Sequence, residues 1–129
     1  MAKVTFHLTK DEFFLCEDYL QLMGDCNPYE EEYSDEEVGE IASKVMREIF
    51  LVHKNGSCTV TIDTTDKYQC EFFNLSISCS SLSGNLYDDL RSGDEIKVKN
   101  AKSLRRLFKS IDKKLDALNC KQLHARWNV

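Results

Sequence analysis

Residues 34–52 read SDEEVGEIASKVMREIFLV, and the way this stretch folds decides the architecture. Ser34 can cap a helix start. Glu37, three residues on, completes a capping box in which each side chain bonds the other residue's amide. Apolar residues then recur at Val38, Ile41, Ala42, Val45, Met46, Ile49 and Val52, the spacing of one helical face. Glu36, Glu40, Ser43, Lys44, Arg47 and Glu48 fall on the other side. Such a helix is about 27 Å long, enough to cover a small sheet. The turn residues Asn55-Gly56 are expected to close it.

Towards the N-terminus, Val4, Phe6 and Leu8 alternate with Lys3, Thr5 and His7, which predicts a half-buried strand. Thr9 and Glu12 form a second capping box, and Phe13, Cys16, Leu20 and Met23 give the next helix its apolar face. Gly24 suits its end, and residues 25–33, with the single proline, read as a connection.

Beyond the central helix, Val60 and Ile62 alternate with Thr59 and Thr61. A bend over Asp63 to Lys67 and a return strand through Phe73, Leu75, Ile77 and Cys79 would complete a hairpin. A loop at 80–85, a helical turn at Tyr87–Leu90 and a turn at Ser92-Gly93-Asp94 lead to a short strand, Glu95–Val98. Asn100 is placed to cap the last helix, whose apolar side is Leu104, Leu107, Phe108, Ile111, Leu115 and Leu118. Lys102, Arg105, Arg106, Lys109 and Lys113 lie opposite, and a tail from Gln122 carries Trp127. The predicted order is β-α-α-β-β-β-α. It describes a single α+β domain over residues 1–129, with helices on one face of a small, mostly antiparallel sheet of three or four strands.

A chain of 129 residues can bury a proper core, and 42% hydrophobic with 30% charged residues is the balance of a globular protein. The opening Met-Ala-Lys-Val-Thr-Phe lacks the apolar run of a secretory signal, and no stretch is long enough to span a bilayer. A cytoplasmic setting is therefore expected. There the six cysteines would be reduced, mostly buried thiols, and the sequons at Asn55 and Asn74 would carry nothing. The net charge of −5 hides an asymmetry. Residues 1–96 hold 7 Lys/Arg against 20 Asp/Glu, a balance of −13, and residues 97–129 hold 10 against 2, a balance of +8. Separation on this scale points to an electrostatically guided partner.

Two candidate surfaces follow. Glu30, Glu31, Glu32, Asp35, Glu36, Glu37 and Glu40 are seven carboxylates within eleven residues, with Tyr29 and Tyr33 among them. Part of this charge suits a helix N-terminus. Carboxylates along a rigid element can also stand where phosphates would, on a basic partner that handles nucleic acid. The basic side of the last helix, Lys102, Arg105, Arg106, Lys109 and Lys113, is the alternative, a phosphate-backbone contact. Against it stand a pI of 5.2 and the absence of aromatic residues among the basic ones.

Other chemistry is weakly signalled. Asp25, Asn27 and Glu36 match an EF-hand loop at three positions, but Glu30 stands where glycine is required and Pro28 precedes it. His53 with Cys58 and Cys120 with His124 could meet as zinc ligands, without the short spacing that makes such a signal specific. No nucleophile elbow, phosphate loop or dinucleotide fingerprint occurs, and no catalytic residue or cofactor is expected. The expected function is that of a small non-enzymatic inhibitor whose acidic surface blocks another protein, as itself or as a homodimer. In size and charge it is comparable with phage anti-defence proteins, anti-CRISPR inhibitors among them, and with toxin-blocking immunity proteins.

Overall fold

The computed structural model of the chain describes residues 2–21, 27, 29–78 and 86–123. They form strand β1 (Lys3–Leu8), helices α1 (Lys10–Gln21) and α2 (Asp35–Ile49), strands β2 (Phe50–Val52) and β3 (Cys58–Asp63), and helices α3 (Lys67–Ser78), α4 (Leu86–Leu90) and α5 (Glu95–Leu118). The three strands make one antiparallel sheet in the order β1-β3-β2. This is the α+β class expected, with a sheet of three strands.

Alternation sets what the sheet buries. Phe6, Leu8, Cys58, Val60 and Ile62 point under the helices, while Lys3, Thr5 and His7 are exposed on the opposite face. The register, from Lys3↔Asp63 to Leu8↔Cys58, keeps the two apolar sets together. Helix α2 adds Val38, Ala42, Val45 and Ile49 to the core, behind the predicted capping box: Ser34 Oγ accepts from the Glu37 amide and the Ser34 amide donates to Glu37 Oε1. The box at Thr9 and Glu12 also forms, at 2.8 and 3.2 Å.

Three predicted elements differ. The central helix ends at Ile49, and Phe50–Val52 is a strand against Val60–Cys58, so Val52 is not on the helical face and is half exposed. Asn55-Gly56 turns a hairpin between β2 and β3, where the two-period of Phe50-Leu51-Val52 meets a waiting partner strand. Gly56 has φ +86°, and a Cβ there would sit 2.8 Å from Lys10 Cδ. Gly56→Ala should cost about 1 kcal/mol in urea unfolding from backbone strain alone. Adding Lys10→Ala should return only the part due to the clash. A neutral Gly56→Ala would show that the turn relaxes to another conformation.

The predicted return strand is helix α3. Asp66 Oδ1 accepts from the Tyr68 and Gln69 amides, which starts a helix, and Cys70, Phe73 and Ile77 with Phe72 and Ser76 are buried at helical spacing. Of the alternating set, Phe73 and Ile77 belong to that pattern and Leu75 is only half-buried; Cys79 lies outside the described residues. The predicted strand Glu95–Val98 is the first turn of α5, capped by Asp94, whose Oδ1 accepts from the Ile96 and Lys97 amides. Asn100 is therefore inside the helix and not its cap. The helical turn expected at Tyr87–Leu90 is present as α4, which begins one residue earlier at Leu86, and α5 buries Phe108, Ile111 and Leu115. Leu20's side chain, Met23, Gly24, the 80–85 loop and Trp127 lie outside what is described.

Cys16, Cys58 and Cys70 are buried and free, and Cys120 is half-buried and free. Burial pushes the Cys16 thiol up to about 12 and that of Cys58 to about 11, so neither is a thiolate near neutrality. Among the described residues no helix is long and apolar enough to cross a membrane.

Candidate functional site

The acidic segment is a turn mounted on an aromatic base. The Glu32 and Tyr33 amides both donate to the Tyr29 carbonyl, at 2.9 and 2.8 Å, which closes one helical turn ahead of α2. Asn27 clamps it: Oδ1 accepts from the Tyr29 amide at 2.8 Å, and Nδ2 donates to the Tyr33 carbonyl at 2.9 Å and to Asp35 Oδ1 at 3.0 Å. The Tyr29 ring meets Tyr33, Tyr68 and Phe72 at centroid separations of 6.2, 6.1 and 5.7 Å. The Tyr33 and Tyr68 hydroxyls are 2.6 Å apart, and the Tyr29 hydroxyl donates to Glu71. Burial, then the Glu71 carboxylate, drive the Tyr29 phenol well above its ordinary range, so it stays a donor at any physiological pH. Its hydrogen bond to Tyr33 pushes Tyr68 up to about 12.

On this base all seven carboxylates, Glu30, Glu31, Glu32, Asp35, Glu36, Glu37 and Glu40, are exposed. Tyr29 and Tyr33 are half-buried beneath them. The carboxylates do not have equal freedom. Asp35 holds Asn27, and Glu37 closes the capping box. The two ion pairs among the described residues, Lys44–Glu48 at 3.7 Å and Lys114–Glu12 at 2.5 Å, involve none of the seven. Glu36 and Glu40 are one turn apart on α2, beside Gly39 and Ser43, which gives a shallow acidic strip running from the turn along the helix to Arg47 at its far end.

The basic side of α5 faces elsewhere. Lys102, Arg106, Lys109 and Lys113 are exposed, and Arg105 is half-buried. Lys114 turns inward, donating to Glu12 and, at 2.9 Å, to the His7 carbonyl. The acidic and basic surfaces thus remain unpaired with each other among the described residues.

The His53–Cys58 pair considered for zinc is not assembled. Cys58 is on the buried face of β3, whereas the His53 ring bonds the Thr59 hydroxyl on the outer face. His124, like Asp25 of the calcium pattern, is outside the described residues. Among the described residues no three His, Cys, Asp or Glu side chains gather as ligands.

Sequence reading missed Tyr68, Glu71 and Phe72, and took Asn27 only as a position of the calcium pattern. The Asn-Pro pair was a legible turn signal for Asn27. The other three belong to α3, and only the packing of that helix against the turn brings them in. Comparisons of this chain with protein-family models, curated proteins and solved structures find no match.

Proposed function

We propose that this is a small non-enzymatic inhibitor, acting in the cytoplasm, that occupies a basic, nucleic-acid-handling surface of another protein with the acidic strip from Glu30 to Glu40. The observation that carries this is the exposure of seven carboxylates, unpaired with any cation among the described residues, on a turn fixed by Asn27 and four aromatic rings. Rigidity matters because a strip held in place loses little freedom on docking. Concentrated charge matters because it raises the encounter rate by about 10 to 10³ and makes it fall with salt.

The test uses the four carboxylates that lie outside the first turn of α2. Glu30→Lys, Glu31→Lys, Glu32→Lys and Glu40→Lys together leave the capping box, the Asn27 clamp and the acidic first turn of α2 intact, so circular dichroism and the unfolding midpoint should change little. Immobilised wild-type protein should retain a basic protein from nuclease-treated host lysate. Added duplex DNA should displace that protein, and the variant should fail to hold it. Equal retention by the variant would remove the strip from the account.

The second reading, a nucleic-acid-binding accessory protein, is favoured by the exposure of Lys102, Arg106, Lys109 and Lys113 along one helix. In the same set of measurements it predicts retention of labelled duplex at low salt that weakens steeply as salt rises.

A further inference from the structure

The outer face of the sheet carries an arrangement that the acidic strip does not use. Thr59, at the centre of the sheet, is the cross-strand partner of His7 on one side and Leu51 on the other. His7 Nδ1 lies 3.1 Å from Thr59 Oγ1, and His53 Nε2 lies 2.7 Å from the same oxygen. Both imidazoles are exposed, so neither is a core histidine satisfied by buried partners. Their side-chain contacts run to this one hydroxyl, which has a single proton to give. The two ring nitrogens are therefore no more than about 6 Å apart, aimed at a common point.

We propose that His7 and His53 form a two-imidazole site for a divalent transition-metal ion, with Zn²⁺ as the type case, in which the Thr59 hydroxyl and water fill the remaining positions. An ion about 2.0–2.1 Å from each nitrogen in tetrahedral geometry needs the nitrogens about 3.4 Å apart. Rotation of two exposed rings about their side-chain torsions can supply that. The backbone beneath is already fixed by the β1–β3 register and by the 2.8 Å bond from the His53 amide to the Ser57 carbonyl. The donors select the ion: imidazole nitrogen suits zinc, copper and nickel, whereas calcium and magnesium require a shell of oxygens. The nearest carboxylate along the same face of β3, Asp63, is committed to the Thr65 amide and hydroxyl at 2.9 and 2.6 Å. The Lys114 ammonium, on the His7 carbonyl, disfavours a cation, but Glu12 already compensates its charge. With two protein nitrogens the site keeps open positions, as an exchangeable site does.

Titration of the reduced, full-length protein with ZnCl₂ at pH 7.5 tests this, followed by long-range ¹H–¹⁵N spectra of the histidine rings. The His7 and His53 ring nitrogens should shift together and saturate at one ion. His7→Gln and His53→Gln should each weaken binding at least about tenfold, with circular dichroism unchanged. Thr59→Val, which keeps both imidazoles, should weaken it less. Zn²⁺ that perturbs the cysteines or His124 while both rings stay still would overturn the proposal. So would a His7→Gln protein in which His53 binds with undiminished affinity.

Discussion

Phe73→Ala is expected to lower the unfolding free energy by about 4 kcal/mol, measured by urea denaturation. Phe73 has no exposed surface, and its ring meets Phe6 of β1 edge-on at 5.4 Å and Phe50 of β2 at 6.4 Å. It therefore joins α3 to both outer strands of the sheet, and truncation opens a cavity that neither a strand nor a helix can close alone. Domains of this size have about 5–15 kcal/mol in all, so the variant should be near the edge of folding at 37 °C. Phe73→Leu, which retains most of the volume, should cost clearly less. A loss below about 1 kcal/mol for the alanine variant would mean that residues 67–78 do not pack under the sheet as a helix.

Glu12→Gln should be the next largest effect, about 3 kcal/mol. Glu12 is 1% exposed, and its oxygens accept from the Thr9 amide, the Ser110 hydroxyl and the Lys114 ammonium at 2.8, 2.8 and 2.5 Å. One carboxylate therefore ties the start of α1 to the middle of α5. Burial alone would raise its pKa, but the bonds from Lys114, Thr9 and Ser110 outweigh it and hold the carboxyl below its ordinary range. A lowered acid stabilises the fold in its ionised form. The contribution is therefore complete above the ordinary carboxylate range and is lost as the pH falls through and below it. The amide variant should show a flatter stability profile in that acid window. Lys114 is one-third exposed and can turn to water when unpaired, which puts the cost at the low end for a broken buried pair. Replacing both partners, with Glu12→Leu and Lys114→Met, should recover much of the loss. A single variant that is neutral at pH 7 and equally acid-sensitive would remove the tie from the account.

The two capping boxes and two of the strands are legible locally, whereas the local cap signal at Asn100 and the strand pattern at Glu95–Val98 gave way to the cap at Asp94. Ser34 and Thr9 announced helix starts because a capping box is complete within four residues. The alternation at 3–8 and 58–63 announced strands because each has one buried and one open face. Ambiguity entered wherever two periods fitted the same residues. Phe73, Leu75 and Ile77 alternate, and Cys70, Phe73 and Ile77 are also helical; only contact with Phe6 and Phe50 decides between them. Val52 continues the helical series of α2 arithmetically, yet the strand opposite claims it. The carboxylates of the acidic strip were visible in the sequence. Their mounting was not, because Tyr68, Glu71 and Phe72 arrive from a helix more than thirty residues downstream.

Strand β1 has one neighbour in the sheet, and that neighbour is β3, with Lys3 opposite Asp63. On the ribosome β1 emerges about fifty residues ahead of the strand it pairs with. At about 5–20 residues per second, it waits several seconds for residues 58–63 to be made. Helices α1 and α2 and the β2–β3 hairpin can form in microseconds as each is released, so the late event is the return of β1 to a finished ribbon. Newly made chains stopped short of residue 58 should therefore leave Val4, Phe6 and Leu8 open to chaperones, and lengthening them past residue 63 should release that hold.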